Sequence, residues 1–221
     1  RITRRLGWRL VLFLVLGGLQ GAVGWFMVAS GFFPDATTVS PYRLVVHLVL
    51  ALLLYVAILW TALDLWGARR AAVPAGLRRV LALAAGLAGL TLIAGGFVAG
   101  NHAGLDYNTF PLMDGRLVPA EYGRLTPWLR NLTENIPAVQ FDHRLLATLS
   151  VLACLAAALL GLRACRRGAR LAPGLGPALG ALAATVVGQY GLGVATLLLV
   201  VPVPLATLHQ AVAVLVLTSL V

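Results

Sequence analysis

The stretch VQFDHRLLATLSVLACLAAALLGL, residues 139–162, decides the fold class of this protein. A helix rises about 1.5 Å per residue, so this apolar stretch is long enough to cross a hydrocarbon core of about 30 Å. Near its start stand three consecutive ionisable residues, Asp142, His143 and Arg144. Because ionisable side chains are costly inside a membrane, they mark candidate functional sites there. The stretch therefore predicts a membrane-spanning helix with a functional site near one end.

The composition of the whole chain agrees with a membrane protein. Of its 221 residues, 60% are hydrophobic and only 11% are charged, whereas roughly 25% of the residues of a soluble domain are charged. Further apolar stretches of spanning length occupy residues 10–32, 42–66, 80–100 and 175–201, and a sixth opens near Leu205. The sixth stretch, up to Val221, would not quite cross the core. We predict an all-α polytopic membrane bundle with six spans.

The basic residues, all 17 of them arginine, predict the orientation of these spans. Twelve of them lie in three segments: before the first span, between spans two and three, and between spans four and five. The positive-inside rule predicts that these segments are cytoplasmic. The twelve are Arg1, Arg4, Arg5, Arg9, Arg69, Arg70, Arg78, Arg79, Arg163, Arg166, Arg167 and Arg170. Only five lie on the other side: Arg43, Arg116, Arg124, Arg130 and Arg144. The net charge of +10 thus reflects topology and not a nucleic-acid surface, which would gather its arginines on one face.

Two cysteines indicate no metal site or disulfide. Cys154 falls in the middle of the fourth span, and Cys165 falls in a predicted cytoplasmic loop. Thiols stay reduced in the cytoplasm, and the spacing of the two residues matches no metal-binding motif. We interpret them as a small buried residue and an incidental loop thiol.

Three of the four histidines occupy the same depth in the predicted bundle. His47, His143 and His209 each lie four or five residues into a span that enters from the outer side, which places each ring about 6 to 8 Å below that surface. A pair of neutral imidazoles on facing helices can hold a heme iron. For any one of them the alternative is an interfacial histidine bonded to a neighbour. We interpret the fourth, His102, as a solvated loop residue.

A weak repeat supports the pairing of these histidines. The spans form three hairpins whose second helix carries the histidine, and whose first helices carry GGLQGAVGW from Gly17, GGFVAGNHAG from Gly95 and GQYGLGVAT from Gly188. Gly17/Gly21 and Gly96/Gly100 have the spacing that lets a helix or a flat macrocycle approach closely, although helix packing alone explains it equally well. Since bis-histidine sites use ligands in twos, we expect a further leading hairpin with a fourth histidine.

Several blocks of the sequence resemble the heme A synthase family of proteobacteria and mitochondria. AGGFVAGNHAGLDYNTFPLMDGRLVP and NLTENIPAVQFDHRLLA resemble its central region. LGGLQGAVGWFMVASG with VSPYRLVVHL resembles its third and fourth spans, and GQYGLGVATLL with ATLHQAVAVLVL its seventh and eighth. The resemblance covers essentially the whole chain, and the NTFP and QFxHR blocks are its most specific parts.

The resemblance implies an eight-span protein made of two pseudo-symmetric four-helix halves. Residues 1–70 would be the remaining helix pair of the half that handles the substrate heme, and residues 71–221 would be the half that binds heme b. The implied reaction is oxidation of a methyl group of heme O to the formyl group of heme A, in the maturation of cytochrome oxidase. The implied location is the bacterial inner membrane. Heme O synthase and an electron donor are the implied partners, and a homo-oligomer is a further possibility.

The resemblance also assigns roles to individual histidines. His143 and His209 would bind the iron of heme b. His47 would bind the substrate heme together with a histidine of the family's second span; spans one and two of the family's eight are expected to be absent from this chain. The family's catalytic glutamate belongs to the absent spans, so no catalytic residue is assigned within this chain, and we expect the 221-residue chain alone to be inactive.

Two arginines next to these histidines are candidates for heme propionate binding. Arg144 follows His143 directly, and Arg43 lies one turn before His47, so each could form charge-assisted hydrogen bonds with a carboxylate. The alternative for both is snorkelling to the membrane surface. Asp142, on another face of the helix, would pair with an arginine or face the outer loop.

The loop over residues 101–137, with four prolines, is longer than a featureless connection. We therefore expect it to be ordered, functional or both, with Asn108, Thr109 and Phe110 capping the heme layer.

Two alternatives to an enzyme remain: a bis-histidine cytochrome b that only transfers electrons, and a transporter with histidines on a proton path. The transporter is weaker, because no span shows a broken helix or an acidic residue at mid-membrane.

Overall fold

A computed structural model describes residues 2–32, 38–67, 73–167 and 174–221. Within them the chain forms six long helices: α1 (Arg4–Ala29), α2 (Pro41–Leu65), α3 (Ala75–Gly100), α4 (Ile136–Arg166), α5 (Leu175–Leu198) and α6 (Val203–Leu220). All six are long and apolar enough to cross a membrane. The expectation that the sixth stretch would not quite cross is therefore wrong, because α6 begins at Val203, two residues before the predicted stretch. The predicted all-α, six-span class is confirmed. Four arginines used in the orientation argument, Arg1, Arg69, Arg70 and Arg170, lie outside the described part of the chain.

Prolines in the first turn set where the three histidine-bearing helices begin. Each of α2, α4 and α6 has proline in its first two positions, where the missing N–H costs no helical hydrogen bond. Helix α4 consequently begins at Ile136, three residues before the predicted apolar stretch, so Asp142 and its neighbours lie inside the second turn. His47, His143 and His209 are the seventh, eighth and seventh residues of their helices, which preserves the predicted equivalence of their positions.

The chain divides into two compact units, Arg1–Ala68 and Arg69–Val221. In the first, the two-helix unit, α1 and α2 pack as an antiparallel pair. At one end Arg9 forms an ion pair with Asp64 at 3.2 Å. At the other end the Arg43 guanidinium donates to the Phe26 carbonyl at 2.9 Å.

The second, the four-helix unit, is a ring of helices. Helix α3 packs against α4 and α6, and α5 packs against the same two, so α4 and α6 occupy opposite corners. Its hydrophobic core consists of Ala84, Ala153, Cys154, Leu182, Val186 and Val216. These residues lie on each helix two to three turns from the histidine level, where side chains are only half-buried. The tightly packed part of the bundle is therefore separate from the level of His143 and His209.

The loop between α3 and α4, residues 101–135, is ordered as the sequence predicts. Asn131 is fully buried and accepts hydrogen bonds through its side-chain oxygen from the Leu125 amide and from Asn135. The Asn108 side-chain amide donates to the Leu197 carbonyl at the end of α5, at 2.8 Å. Phe110 packs edge-to-face on Tyr190 of α5, with ring centroids 6.1 Å apart. The segment predicted as a cap is thus held against the histidine end of the four-helix unit.

Candidate functional site

The candidate site of the four-helix unit is built from His143 and His209, on the opposite helices α4 and α6. His143 and His209 are the eighth and seventh residues of two helices that begin at the same end of the unit. Among the described residues, no three histidine, cysteine or acidic side chains cluster as a metal site. The arrangement suits an iron that brings its own equatorial ligands and needs two axial ones.

His143 is held against α3 in a defined tautomer. Its Nδ1 lies 3.1 Å from the backbone carbonyl oxygen of Thr91. Since a carbonyl can only accept, Nδ1 carries the proton and Nε2 keeps its lone pair. A Cβ atom at Gly95 would lie 3.1 Å from the His143 ring, so glycine gives the ring room beside the α3 backbone. His143 is thereby oriented as a metal ligand through Nε2.

His209 has a related but incomplete set of contacts. The Gln189 side-chain amide donates to the His209 backbone carbonyl at 3.0 Å. A Cβ atom at Gly193 would lie 2.8 Å from the His209 ring, so the ring lies directly against α5. Its Nδ1 is buried and has no hydrogen-bond partner within the described part of the chain.

His47 repeats this arrangement inside the two-helix unit. The Gln20 side-chain nitrogen lies 2.9 Å from the His47 carbonyl oxygen and 3.0 Å from its Nδ1. A Cβ atom at Gly24 would lie 2.9 Å from the ring. All three histidines thus lie against a glycine of the preceding helix and contact the residue four positions before that glycine.

The glycines of this repeat are not those that the sequence analysis emphasised. Among the described atoms, nothing lies within 4 Å of a Cβ built at Gly17 or Gly21, so these glycines provide no close helix contact. The functional glycines are Gly24, Gly95 and Gly193. The sequence contains this pattern as a glutamine four residues before a glycine, in Gln20 and Gly24 and in Gln189 and Gly193. This spacing places both residues on one face of a helix.

Arg144 connects α4 to the loop that covers the histidine end. Its guanidinium donates to the carbonyl oxygens of Thr109 at 2.9 Å and Tyr107 at 2.7 Å, and to the Gln140 side chain at 2.6 Å. Its Nε is buried and unpartnered among the residues described. Arg144 therefore fixes the loop while one N–H group is left for another acceptor, and propionate binding stays a prediction.

Asp142 faces the loop, which is one of the two outcomes anticipated for it. Its carboxylate accepts a hydrogen bond from the Tyr122 hydroxyl at 2.7 Å. Burial, followed by this hydrogen bond and the carboxylate charge, raises the pKa of Tyr122 to about 12. Tyr122 therefore stays a neutral donor at physiological pH and ties the loop to α4.

The remaining predicted residues have simpler surroundings. The Arg43 guanidinium lies 3.8 Å above the Phe26 ring, beside a cavity of about 120 Å³ lined by Val23, Phe26, Tyr42, Arg43 and Val46. Its role toward a propionate stays a prediction. His102 is exposed in the loop, as expected.

A second cavity, of about 450 Å³, lies in the α3–α4 loop. Its lining includes one arginine and four acidic residues, Arg124, Asp106, Asp114, Glu121 and Glu134. Carboxylate groups of a ligand would be repelled there, so Arg144 is the better candidate for propionates in this unit.

The histidine site fits a heme in the chemistry of its residues. The Nε2 atom of His143 is available as a ligand, and glycines let both rings lie against the neighbouring helices. Within the described chain, the buried atoms Nε of Arg144 and Nδ1 of His209 have no hydrogen-bond partner, so each can still form a hydrogen bond. Two histidines at one level of a helical membrane bundle are the arrangement that membrane proteins use to bind heme.

The chain belongs to the family of cytochrome oxidase assembly proteins, whose family model matches residues 1–221. A protein of Granulibacter bethesdensis named heme A synthase is 60% identical over 221 residues, 99% of this chain and 56% of its own length. Heme A synthases of Rhodospirillum centenum and Methylobacterium sp. are 49% and 46% identical over 100% and 98% of this chain, and 58% and 59% of their own lengths. This chain thus spans a little over half of the relatives it matches. No solved structure matches it.

Proposed function

We propose that the protein is a heme A synthase, which oxidises a methyl group of heme O to the formyl group of heme A. The observation that carries the proposal is the His143–His209 pair, in which a backbone carbonyl leaves Nε2 of His143 available for iron. The family match and the names of the relatives supply the reaction.

Within the four-helix unit, His143 and His209 would hold the iron of a heme b. Heme b, when bound, would supply a redox centre at the histidine level. Gly95 and Gly193 let the rings lie against α3 and α5, and the segment around Thr109 covers the site. Arg144 would donate its remaining Nε–H to a propionate in a charge-assisted hydrogen bond.

Within the two-helix unit, His47 and Arg43 belong to the site of the substrate heme. The family resemblance implies that its further ligand and a catalytic glutamate lie outside these 221 residues. The substrate is heme O, and heme O synthase and an electron donor are the expected partners. The protein lies in the bacterial inner membrane with its arginine-rich loops in the cytoplasm, since positive residues are retained on that side.

The experiment compares pigments from cells that express the full-length protein, its His47→Ala variant and the 221-residue chain, each supplied with heme O. We expect heme A only from the unaltered full-length protein, because His47→Ala removes a ligand of the substrate site. Heme A from the His47→Ala variant at the unaltered level would contradict the role of His47.

The same preparations test the heme b ligands. His143→Ala or His209→Ala should remove or alter the visible spectrum of the bound heme b, since one imidazole cannot complete a six-coordinate iron. His47→Ala should leave this spectrum unchanged. Unaltered spectra in both His143→Ala and His209→Ala would refute the ligand assignment.

One observation favours a second function, a bis-histidine cytochrome b. The His143–His209 pair lies inside the four-helix unit and needs no residue from outside it. A full-length protein that binds heme b but forms no heme A, with heme O and reductant present, would support the cytochrome.

A further inference from the structure

Two neighbouring polar atoms beside His209 are buried and lack partners within the described residues: Nδ1 of His209 and Oε1 of Gln189. Buried polar atoms are almost always hydrogen-bonded, so a pair of exceptions calls for an explanation. Both atoms belong to residues already joined by the bond from the Gln189 amide to the His209 carbonyl, at 3.0 Å.

The two atoms are complementary once His209 binds iron. A histidine that ligates through Nε2 carries its proton on Nδ1, which then becomes a donor. The His209 carbonyl can only accept, so the Gln189 atom facing it is the nitrogen, and Oε1 is the atom left to accept. The bond between the Gln189 amide and the His209 carbonyl holds the two residues side by side, so a turn of the His209 ring on binding iron would bring this donor to this acceptor.

The other two hairpins show the same position at work. In the four-helix unit, the residue four positions before Gly95 is Thr91, whose backbone carbonyl already accepts from Nδ1 of His143 at 3.1 Å. In the two-helix unit, the residue four positions before Gly24 is Gln20, which also contacts its histidine but through the side-chain nitrogen, 3.0 Å from Nδ1 of His47.

We infer that Gln189 is the positioning residue of His209, and that its Oε1 accepts the Nδ1–H bond that aims Nε2 at the heme iron. The inference rests on the proposed heme site, and it goes beyond the ligands to the groups that orient them. Within the four-helix unit, one helix position therefore supplies the orienting acceptor to both histidines, from the backbone at Thr91 and from the side chain at Gln189.

The inference predicts a measurable loss of affinity when the acceptor is removed. Outer-shell partners of metal-bound histidines typically change metal affinity by about 10- to 100-fold. Gln189→Leu should therefore weaken heme b binding by about tenfold or more. Gln189→Glu keeps an oxygen acceptor for Nδ1 but loses the amide that donates to the His209 carbonyl, so it should lose less affinity than Gln189→Leu. Its carboxylate should also lower the midpoint potential of the heme, since a stronger acceptor makes the imidazole a stronger donor to iron.

The experiment titrates heme b into the purified 221-residue chain and its variants, with visible and electron paramagnetic resonance spectra and a redox titration. Ser219→Ala is the control, because it removes a hydroxyl from the helix that carries His209 at an exposed position, where the hydroxyl bonds the Leu215 carbonyl of the same helix; its heme spectrum should equal that of the unaltered chain.

The outcomes separate this inference from the proposed function. An unaltered chain that binds no heme b would overturn both. An unaltered chain that binds heme b, with Gln189→Leu equal to it in affinity and spectrum, would overturn the positioning role alone. Should the Leu variant fail to fold, the Gln189→Glu variant decides: an unchanged midpoint potential refutes the inference, and a lowered one supports it.

Discussion

At the residue scale, the helix periodicity explains why three ionisable side chains stand in a row at one end of α4. Successive residues of a helix point about 100° apart, so Asp142, His143 and Arg144 reach three different partners. Asp142 accepts from Tyr122 of the loop, His143 lies against α3, and Arg144 donates to Tyr107 and Thr109. Two of the three thus fasten the loop, and the histidine between them faces the bundle.

The Tyr122 contact predicts a pH-dependent fastening of the loop. The pKa of Tyr122 is raised from 10.0 to about 12, so the neutral phenol is the form that the fold stabilises. The contribution is complete below pH 10.0 and is lost as the pH rises through about 12. An absorbance titration of tyrosinate should show one phenol that ionises at a higher pH than an ordinary tyrosine, and Tyr122→Phe should remove this transition.

Asp142→Asn is the matched variant for this titration. It keeps an acceptor oxygen and removes the charge, so Tyr122 should ionise at a lower pH than in the unaltered protein. A titration curve unchanged by Tyr122→Phe would contradict the assignment.

At the element scale, the recurring part is a hairpin in which a histidine of the second helix lies on a glycine of the first. Span positions could be predicted from the sequence because apolar length alone determines them, and proline determined the helix starts. The glycine register could not be predicted from a search for GxxxG, because that spacing relates glycine to glycine. The structure instead relates Gly24, Gly95 and Gly193 to an imidazole on another helix.

Gly193→Ala tests the glycine contact. The added methyl group would lie 2.8 Å from the His209 ring, so we expect a displaced ring and an altered or lost heme b spectrum. Gly191→Ala is the control on the same helix, since none of the described atoms lies within 4 Å of its Cβ. It should stabilise the helix by about 0.5–1 kcal/mol and leave the spectrum unchanged. Equal spectra for both variants would show that the ring does not depend on the glycine.

At the scale of the whole molecule, the two units differ in how much of their chemistry they contain. The four-helix unit holds both histidines of its site, while His47 is the one histidine described in the two-helix unit. Equal depth and the family resemblance both predict the pairing of His143 with His209, which stays a prediction. The bonds from Arg144 to the loop and the unpartnered atoms of Gln189 and His209 could not be predicted, because they depend on where the loop folds back and on which atoms are buried.

The charges at the two ends of the four-helix unit lead to the last prediction, which concerns sidedness. Arg78 and Arg79 lie in the first turns of α3, and Arg163, Arg166 and Arg167 lie at the end of α4. Because α3 and α4 are antiparallel, these arginines gather at the end opposite the α3–α4 loop. The positive-inside rule then predicts that this end is cytoplasmic and that the loop faces outward.

Thiol labelling of intact cells with a membrane-impermeant reagent measures this orientation. Cys165 is exposed near the arginine-rich end, whereas Cys154 is buried within α4, so the native chain should be labelled only after the membrane is opened, and then at Cys165. Leu117→Cys places a thiol at a loop position that is 69% exposed and should be labelled in intact cells. Labelling of Cys165 in intact cells, with Leu117→Cys protected, would invert the topology and place the proposed heme level on the cytoplasmic side.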